Sequence, residues 1–521
     1  MLGRCVSEKV VYLRGLLLAL LCALEPTGGF AQEPAVVGIE VGSISDLNLE
    51  IVRQIIDQSD DAGAPSIGSS RTLSLEQAVE LSLEKNLGLQ VSLKVTEINE
   101  AGLRANQAKF HPVLEVTGGA RGTKRGSSDQ NRDDQFTENE DVLVGVRQAV
   151  PTGGQVSVGL AYSREYTDEN YSPVNGGATE NLETISEIGG VGIEIVQPLL
   201  RGGRVFVARK AILDAEYDTE ISRAELNGQI LAVTAETKTA YYKVIQSMRV
   251  IEVIKEALQR DADLIRASRA LFEAGRVSKI DVLSAEINQA NDQARLATGE
   301  AERELAQNAL RKVLGLPIDT QVQVSDQTIP FDPIEIELEK WVQEALLRRP
   351  EMVRARTEIE KVELSVRVRK NETLPSLDVL GGFEPGFDGD SWNWKARGQF
   401  SYPIGNVAAR SRLKQATLDR ARLNTELVRV KRAIELEIRE VEIRLRQALA
   451  RLKSLVVGVE NARSKRKIAR GRFEMGLANN LDIRNADEEL ISTETALLDA
   501  LVGYASNIAL LEARVGGSLS P

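Results

Sequence analysis

The chain has 521 residues, a formal net charge of −11 and a single histidine, His111. One imidazole cannot form a His-based metal cage, and an acidic chain is not a typical partner of nucleic acid. Phosphate-binding glycine loops, nucleophile elbows and cysteine clusters are absent from the sequence. We therefore predict no enzyme, no cofactor, no metal site and no nucleic-acid partner.

Residues 1–31 have the pattern of a secretory signal peptide. An apolar run at 16–24 follows three basic residues, Arg4, Lys9 and Arg14. Small residues at positions 29 and 31 suit a cleavage site. A buried N-terminal helix is the alternative interpretation.

The two cysteines of the chain, Cys5 and Cys22, both lie in this first segment. The rest of the chain therefore has no disulfide framework and no thiol chemistry. A lipoprotein site at Cys22 is an alternative. Residues 32–70 are rich in Asp, Ser and Gly and are predicted to form a flexible N-terminal extension.

The remaining sequence is internally duplicated. Shifted by 263 positions, residues 75–116 align with 338–379 without a gap, and ten of the 42 pairs are identical. Shifted by 201 positions, residues 272–286 align with 473–487 and keep the glycine and the aspartate of a turn. Such self-similarity indicates one supersecondary unit that is used twice.

Each repeat is predicted to run in one order: helix, strands, long helix, glycine turn and returning helix. The first repeat, 71–316, is assigned a helix at 73–110, strands within 113–198, a long helix at 205–274 and a helix at 279–315. A proline-rich linker at 317–335 follows. The second repeat, 336–521, is assigned a helix at 337–373, strands within 376–403, a long helix at 407–474 and a helix at 480–515.

The long helices carry heptad repeats. Every seventh position from 230 to 272 reads Ile, Thr, Val, Ile, Leu, Ile and Phe, and the series from 427 to 469 is entirely apolar. Sustained heptads predict helices that pack side by side in a left-handed supercoil. A helix over 205–274 would be about 105 Å long. A soluble coiled-coil rod fits the same periodicity and is the alternative.

The stretch from Trp392 to Tyr402 alternates strictly between apolar and polar residues. A transmembrane β-strand needs about 9–11 residues with one apolar face, and aromatic residues suit the lipid–water interface. We therefore predict a strand whose lipid-facing residues include Trp392, Trp394, Phe400 and Tyr402. A soluble sandwich with one hydrated face is the alternative.

The first repeat carries four weaker alternating stretches, near residues 114–121, 142–147, 155–162 and 191–196. The segment 148–154 resembles the strand exit at 197–203, so both are expected on one side of the sheet, with loops at 122–140 and 167–187 on the other, extracellular side. Every backbone group in lipid must be paired, and six strands from one chain cannot close a barrel around an open pore. Several copies are therefore predicted to share one barrel in a cyclic homo-oligomer.

With these features the chain resembles the TolC-type outer-membrane efflux family over about residues 71–516. The resemblance is carried by the duplicated helix at 73–78 and 338–342, the strand exits at 197–202 and 402–405, and the turns at 272–283 and 473–483. It implies an internally duplicated α+β membrane protein, whose very long coiled-coil helices form a periplasmic α-barrel and whose strands contribute to a shared transmembrane β-barrel. The family typically uses four strands per chain, whereas this sequence predicts six.

The resemblance also implies the function. Members of this family are homotrimeric channels in the lipid of the outer membrane that act as exit ducts of tripartite efflux pumps or type I secretion systems. Their partners are a periplasmic adaptor protein and an inner-membrane transporter. The alternative from the residues alone is a periplasmic or secreted structural coiled-coil protein with a soluble sheet.

The same resemblance assigns the two glycine turns to the periplasmic tip. Partner docking is predicted at Gly275, Arg276, Val277 and Ser278 and at Gly476, Leu477, Ala478 and Asn479. Asp482 matches a carboxylate that rings the closed entrance in the family, and Asp281 is its repeat partner. Three carboxylates around one axis would bind cations and repel anions. The alternative is that both aspartates only start their helices, where an acid favours the helix dipole.

Overall fold

The computed structural model describes residues 71–125, 132–171, 180–329, 331, 333–386, 390–475 and 477–517. The predicted signal peptide at 1–31 and the extension at 32–70 lie outside the described residues. Positions 330 and 332 of the predicted linker, Gly476 of the second turn and the last residues, 518–521, also lie outside them.

The first repeat begins with a short strand and two helices: β1 (Arg71–Leu73), α1 (Leu75–Lys85) and α2 (Leu87–Gln107). Four long strands follow: β2 (Val113–Arg125), β3 (Arg132–Ala149), β4 (Gln155–Tyr171) and β5 (Glu180–Pro198). The chain then forms α3 (Val205–Ala208), α4 (Lys210–Glu273), α5 (Lys279–Val313) and the short strand β6 (Val322–Val324).

The second repeat has the same order with two strands instead of four. Its elements are α6 (Leu338–Arg348), α7 (Pro350–Glu372), β7 (Ser376–Pro385), β8 (Trp392–Ser401), α8 (Val407–Glu474) and α9 (Asn480–Val515). At about 1.5 Å per residue, the 64 residues of α4 and the 68 residues of α8 are about 96 and 102 Å long.

The single helices predicted at 73–110 and 337–373 are wrong, because each region forms two helices. Asn86 and Arg349 have extended backbones with ψ of 118° and 133°, and they separate α1 from α2 and α6 from α7. Asn86 caps α2, while Pro350 forces the residue before it out of the helical region. The two breaks are 263 positions apart, so the duplication includes them.

Within the described ranges, two large apolar cores and one smaller core form where the long helices meet. The first is built from α1, α4, α5, α9 and the β1–β6 pair, with buried residues that include Tyr241, Leu310, Val322 and Ala505. The second is built mainly from α8 and α9, with Ile438, Leu445, Tyr504 and Leu511. Burying one such Leu or Ile side chain contributes about 1.5–3 kcal/mol. Because α9 supplies both cores, it holds the two repeats together.

Helix α9 is also, among the described residues, the one helix that is long and apolar enough to cross a membrane by length and composition. Its apolar residues Ala505 and Leu511 are buried in the two cores. Packing within the chain buries part of the apolar stretch, of which 33% is buried.

The strands of both repeats form one antiparallel sheet in the order β2-β3-β4-β5-β7-β8. The repeats are joined within it by β5 and β7, where Ile193 pairs with Phe383. Strands β2 and β8 are the edges of this sheet. The six-stranded prediction agrees with this sheet.

The loops predicted at 122–140 and 167–187 are wrong for most of their length. Strand pairing continues to Arg125 and Gln135 between β2 and β3, and to Tyr171 and Glu180 between β4 and β5. The prediction ended the strands where apolar alternation stops. Pairing continues because polar cross-strand pairs, such as Thr137 opposite Thr167, also stabilise a sheet.

Candidate functional site

One face of the six-stranded sheet is apolar from edge to edge. A single cross-strand row contains Leu114, Val146, Val158, Ile193, Phe383 and Trp394, one residue from each strand. Leu114 is 67% exposed and Trp394 is 63% exposed in the single chain. An exposed apolar surface that crosses a whole sheet is uncommon for a soluble monomer and marks an interaction with lipid or protein.

The residues predicted to face lipid lie on this apolar face. Trp392, Trp394 and Phe400 of β8 are exposed, and Tyr402 lies exposed directly after the strand. Phe383 stacks against Trp392 on the same face, with 6.5 Å between ring centroids. The apolar band ends beyond Tyr162, where Arg164 lies 3.7 Å from Glu140 and 3.9 Å from Glu187.

The opposite face of the sheet is polar and concave. Arg147 pairs with Glu115, and Lys395 pairs with Glu194. These residues line a cavity of about 260 Å³ together with Ser157 and other residues of all six strands. The sheet therefore has one apolar and one polar face, the pattern of a wall between lipid and water.

Glycine residues allow the sheet to curve towards its polar face. Gly145, Gly159 and Gly192 occupy one cross-strand row on three adjacent strands. A Cβ atom on Gly145 would lie 3.1 Å from the Cα atom of Gly159 and 3.1 Å from the carbonyl oxygen of Val158. The strands approach too closely here for side chains, which is typical of the bends that barrels need.

The first predicted docking turn joins α4 to α5. Gly275 has φ of +71°, a conformation that favours glycine, and the Arg276 N–H donates to the carbonyl oxygen of Leu271 at 2.9 Å. Ser278 then caps α5. Arg276 and Ser278 are exposed, and Val277 is half-buried.

The second turn joins α8 to α9 in the same way. The Leu477 N–H donates to the carbonyl oxygen of Arg472 at 2.8 Å, and Asn479 caps α9. Leu477 and Asn479 are exposed, and Ala478 is half-buried. Gly476 lies outside the described residues.

Asp281 and Asp482 occupy equivalent places in two capping boxes. The Ser278 N–H donates to Asp281 Oδ2 at 2.9 Å, and the Asn479 N–H donates to Asp482 Oδ2 at 3.2 Å. Each carboxylate therefore helps to start its helix, as the alternative interpretation expected. This use of one carboxylate oxygen is compatible with a further role, so the gate remains a prediction.

Asn480 was not identified from the sequence, yet it connects the two hairpins. Its side chain is 3% exposed, and its Nδ2 donates to Ser268 Oγ at 2.9 Å and to the carbonyl oxygen of Asp281 at 2.8 Å. The repeat partner of Asn480 is Lys279, so neither the periodicity nor the duplication singles it out.

A second group of polar residues lies further along the same hairpins. Asp261 of α4 is 7% exposed and its Oδ2 has no hydrogen-bond partner. Burial, followed by the negative charges of Asp292 and Asp487, raises the pKa of Asp261 to about 7. Arg260 and Arg466 each pair with Asp487, at 3.3 and 2.8 Å, and connect α4 and α8 to α9.

A run of basic residues precedes the second turn, and part of it is paired with acids of α9. The run consists of Arg463, Lys465, Arg466, Lys467, Arg470 and Arg472. Arg463 contacts Glu494 at 2.7 Å, and Lys465 pairs with Glu489. These ion pairs lie between neighbouring helices of one hairpin. Ion pairing within the hairpin therefore accounts for much of the basic run, which forms a charged face of α8. Across the described part of the chain, no group of three His, Cys, Asp or Glu residues could hold a metal ion.

A long helical hairpin in each repeat and a two-faced sheet that joins the repeats define the architecture. A family model for outer membrane efflux proteins matches residues 78–316 and 341–517. The chain belongs to the outer membrane efflux protein family. The match includes both repeats and confirms the resemblance found in the sequence. This outer membrane efflux protein lies in the outer membrane and extends into the periplasm.

Individual relatives are distant in sequence. The outer membrane efflux protein BepC of Brucella suis biovar 1 is 22% identical over 328 residues, which are 60% of this chain and 68% of BepC. The solved outer-membrane channel OprN has 18% identity and a TM-score of 0.61, covering 87% of this chain and 94% of OprN. The Campylobacter jejuni CmeC outer membrane channel has 16% identity and a TM-score of 0.63, covering 88% and 90%. At these identities the structures establish the shared fold.

Proposed function

We propose that this protein is a passive exit duct of a tripartite efflux pump or a type I secretion system, formed by three copies of the chain. Its sheet would contribute to a shared transmembrane β-barrel, and its helices would form a periplasmic α-barrel. A periplasmic adaptor would connect the duct to an inner-membrane transporter, and the transporter would supply the energy. We propose no enzymatic activity.

The observation that carries this proposal is the apolar row across all six strands. The row reaches both edge strands, Leu114 on β2 and Trp394 on β8. A sheet cannot expose its edges to lipid, so β2 and β8 need partners within the membrane. Further copies of the same chain supply such partners by cyclic symmetry. A soluble coiled-coil protein gives no reason for an exposed apolar face.

Apolar stripes on the helices support neighbouring copies as well. Leu436, Ile443 and Val457 of α8 are exposed at heptad spacing in the single chain. On α2, Leu87, Val91 and Ile98 are exposed on one side of the helix. Heptad stripes of this kind pack against other helices, and packing between subunits would bury them.

The two turns and the carboxylates after them are proposed as the partner-docking and gating end. Three copies of Asp482 would form a ring of negative charge around one axis, and Asp281, its repeat partner, is proposed to lie at the same gating end. The exposed Leu477 and Arg276 would present side chains to an adaptor. The capping hydrogen bonds that start each helix would hold these residues in place.

Fractionation of the expressing cells tests the proposal. We expect the protein in the outer membrane and soluble only in detergent, with the mass of three chains by native mass spectrometry. Recovery from the periplasm without detergent would favour the structural coiled-coil alternative. A monomer in detergent would contradict the shared barrel.

A further inference from the structure

We infer that the pore through the membrane has a wall of eighteen strands and takes bulky polar cargo of either charge sign. This inference rests on the proposed function, because it needs three copies of the sheet. A symmetric duplication would give two strands per repeat and twelve in a trimer. The first repeat instead supplies four strands, β2 to β5, and the second supplies two.

The additional hairpin, β3 and β4, is part of the wall rather than a plug. Its outward residues Val146, Val158 and Leu160 continue the apolar rows of β2, β5 and β8. Its inward residues include Arg147 and Ser157, which line the polar cavity. A hairpin folded into the pore would be surrounded by water and would need no apolar face.

The hairpin is also paired along its full length. β3 pairs with β4 from Gln135 opposite Glu169 to Ala149 opposite Gln155. β4 pairs with β5 from Gln155 opposite Val196 to Tyr171 opposite Glu180. A hairpin with partners on both sides has no free edge that could leave the sheet.

Barrel diameter grows roughly linearly with strand number, so eighteen strands give a pore about 1.5 times as wide as twelve. Barrels of about 16–18 strands leave an aqueous channel. Where Gly145, Gly159 and Gly192 form a row, no side chain narrows the pore. The inner face carries Glu115 paired with Arg147 and Glu194 paired with Lys395, so it presents charges of both signs. Such a wall selects by size more than by charge.

The test uses a cysteine at an inward position of β8. Cys5 and Cys22 are the two cysteines of the chain, and both precede residue 32. Gln399→Cys places a thiol near the periplasmic end of β8, on the polar face opposite Asp378. Maleimide-linked polyethylene glycols of increasing size are added to intact cells, and the largest polymer that still labels the cysteine is recorded.

The comparison is a variant that lacks residues 126–179 and joins Arg125 to Glu180 by a short glycine–asparagine turn. This deletion removes β3 and β4 and leaves four strands. The largest polymer that labels the full chain should have about 1.5 times the hydrodynamic radius of the largest polymer that labels the deletion variant. Equal size limits in two correctly assembled proteins would overturn the inference.

A second measurement needs no deletion. Leu160→Cys is outward on β4 and Ala161→Cys is inward, where it lines the cavity. If the hairpin is part of the wall, a membrane-impermeant maleimide labels position 161 at least tenfold faster than position 160. Equal labelling of the two positions would place the hairpin outside the wall.

Trp394→Cys and Lys395→Cys give the matching pair on β8. Fast labelling at position 395 and slow labelling at position 394 would show that the sheet lies in the membrane. If this pair alternates and positions 160 and 161 do not, only the wide barrel is overturned. If neither pair alternates, the proposed channel itself is contradicted.

Discussion

At the scale of single residues, the most informative positions are those that alternate on β8. Trp394 lies on the apolar face opposite Phe383, and Lys395 lies on the polar face beside Glu194. If the sheet is a membrane wall, these neighbouring residues of one strand therefore face lipid and water, respectively. A charge at a lipid-facing position of a β-barrel costs about 2–4 kcal/mol near the bilayer midplane.

We expect Trp394→Arg to reduce the amount of assembled protein in the outer membrane at least tenfold. The cost of about 2–4 kcal/mol is paid in every subunit of the assembly. The matched control is Gln399→Arg on the polar face of the same strand, which should assemble normally. Assembly is measured as detergent-extracted oligomer per cell. Equal yields of the two variants would contradict lipid contact on the apolar face.

Asp482 combines a cap with a proposed gate, and two substitutions separate these roles. Asp482→Asn removes the charge, while its amide oxygen can still accept from the Asn479 N–H. Asp482→Ala removes both the charge and the cap, at a cost of about 1 kcal/mol to the helix start. We expect both variants to weaken block of the channel by divalent cations in planar bilayers by tenfold or more.

If Asp482 only starts the helix, the Asn variant should behave like the parent protein. Unchanged cation block in both variants would remove the gating role and leave the cap. A substitution of Asn485, one turn further along α9, is the control. It removes no charge, so cation block should stay as in the parent protein.

At the scale of elements, the α4–α5 hairpin contains a buried acid that its counterpart lacks. Asp261 and Asp292 are both buried, and they lie equally far from the turn on opposite helices. The equivalent positions in the α8–α9 hairpin are Ala462 and Thr493. At this level of the hairpin only the first repeat places a carboxylate where burial makes ionisation costly.

The raised pKa of Asp261 predicts a pH-dependent stability. The folded state binds the proton up to about pH 7, whereas the unfolded chain releases it near the usual value of 3.8. Stability is therefore lost as pH rises from about 4 to 7 and changes little from this source above 7. We expect Asp261→Asn to stabilise the helices by roughly 1–4 kcal/mol at pH 8 and by progressively less towards pH 4.

Thermal unfolding of the detergent-extracted protein, followed by circular dichroism at pH 4, 6 and 8, measures this difference. The control is Asp263→Asn, two residues away, whose side chain is 41% exposed and pairs with Arg266. The control removes an exposed carboxylate from the same helix and should not stabilise the protein. A stability difference for Asp261→Asn that is the same at all three pH values would contradict the argument.

Elements with a strong period could be predicted from the sequence, and elements set by single residues could not. Heptads predicted the helix at 407–474, and α8 spans Val407–Glu474. The break at Asn86 was missed because apolar periodicity continues across it. The break at Arg349 has a signal in the sequence, Pro350, which the prediction of one continuous helix did not use. The outer halves of β3 to β5 were missed because their pairing depends on polar cross-strand contacts, which leave no apolar alternation.

The candidate site shows the same limits. Alternation alone placed Trp392, Trp394 and Phe400 on one face of a strand. The capping roles of Asp281 and Asp482 were available from their spacing to Ser278 and Asn479. The contacts of Asn480 and the burial of Asp261 depend on which helices lie side by side, and a single sequence does not contain that information.

At the scale of the whole molecule, the internal duplication explains why both repeats have the same order of elements, and the additional β3–β4 hairpin is the departure from it. The repeats meet in the sheet at β5 and β7 and in the helices at α4 and α9. Each repeat supplies one hairpin in which a long helix, α4 or α8, packs against a returning helix of 35 or 36 residues, about 53 Å long. Both returning helices begin with equivalent capping boxes. The unequal strand number is the feature that distinguishes this chain from a symmetric duplicate.

The central claim is that β8 of one copy pairs with β2 of the next copy. Lys395→Cys on β8 is combined in turn with Val113→Cys, Glu115→Cys or Thr117→Cys on β2, all on the polar face. Edges of one sheet are too far apart to bond within a chain, so disulfides can form only between copies. We expect at least one pair to give, under oxidising conditions, covalent products of up to three chains and none larger. Monomers from every pair, or products that continue beyond three chains, would contradict the shared barrel.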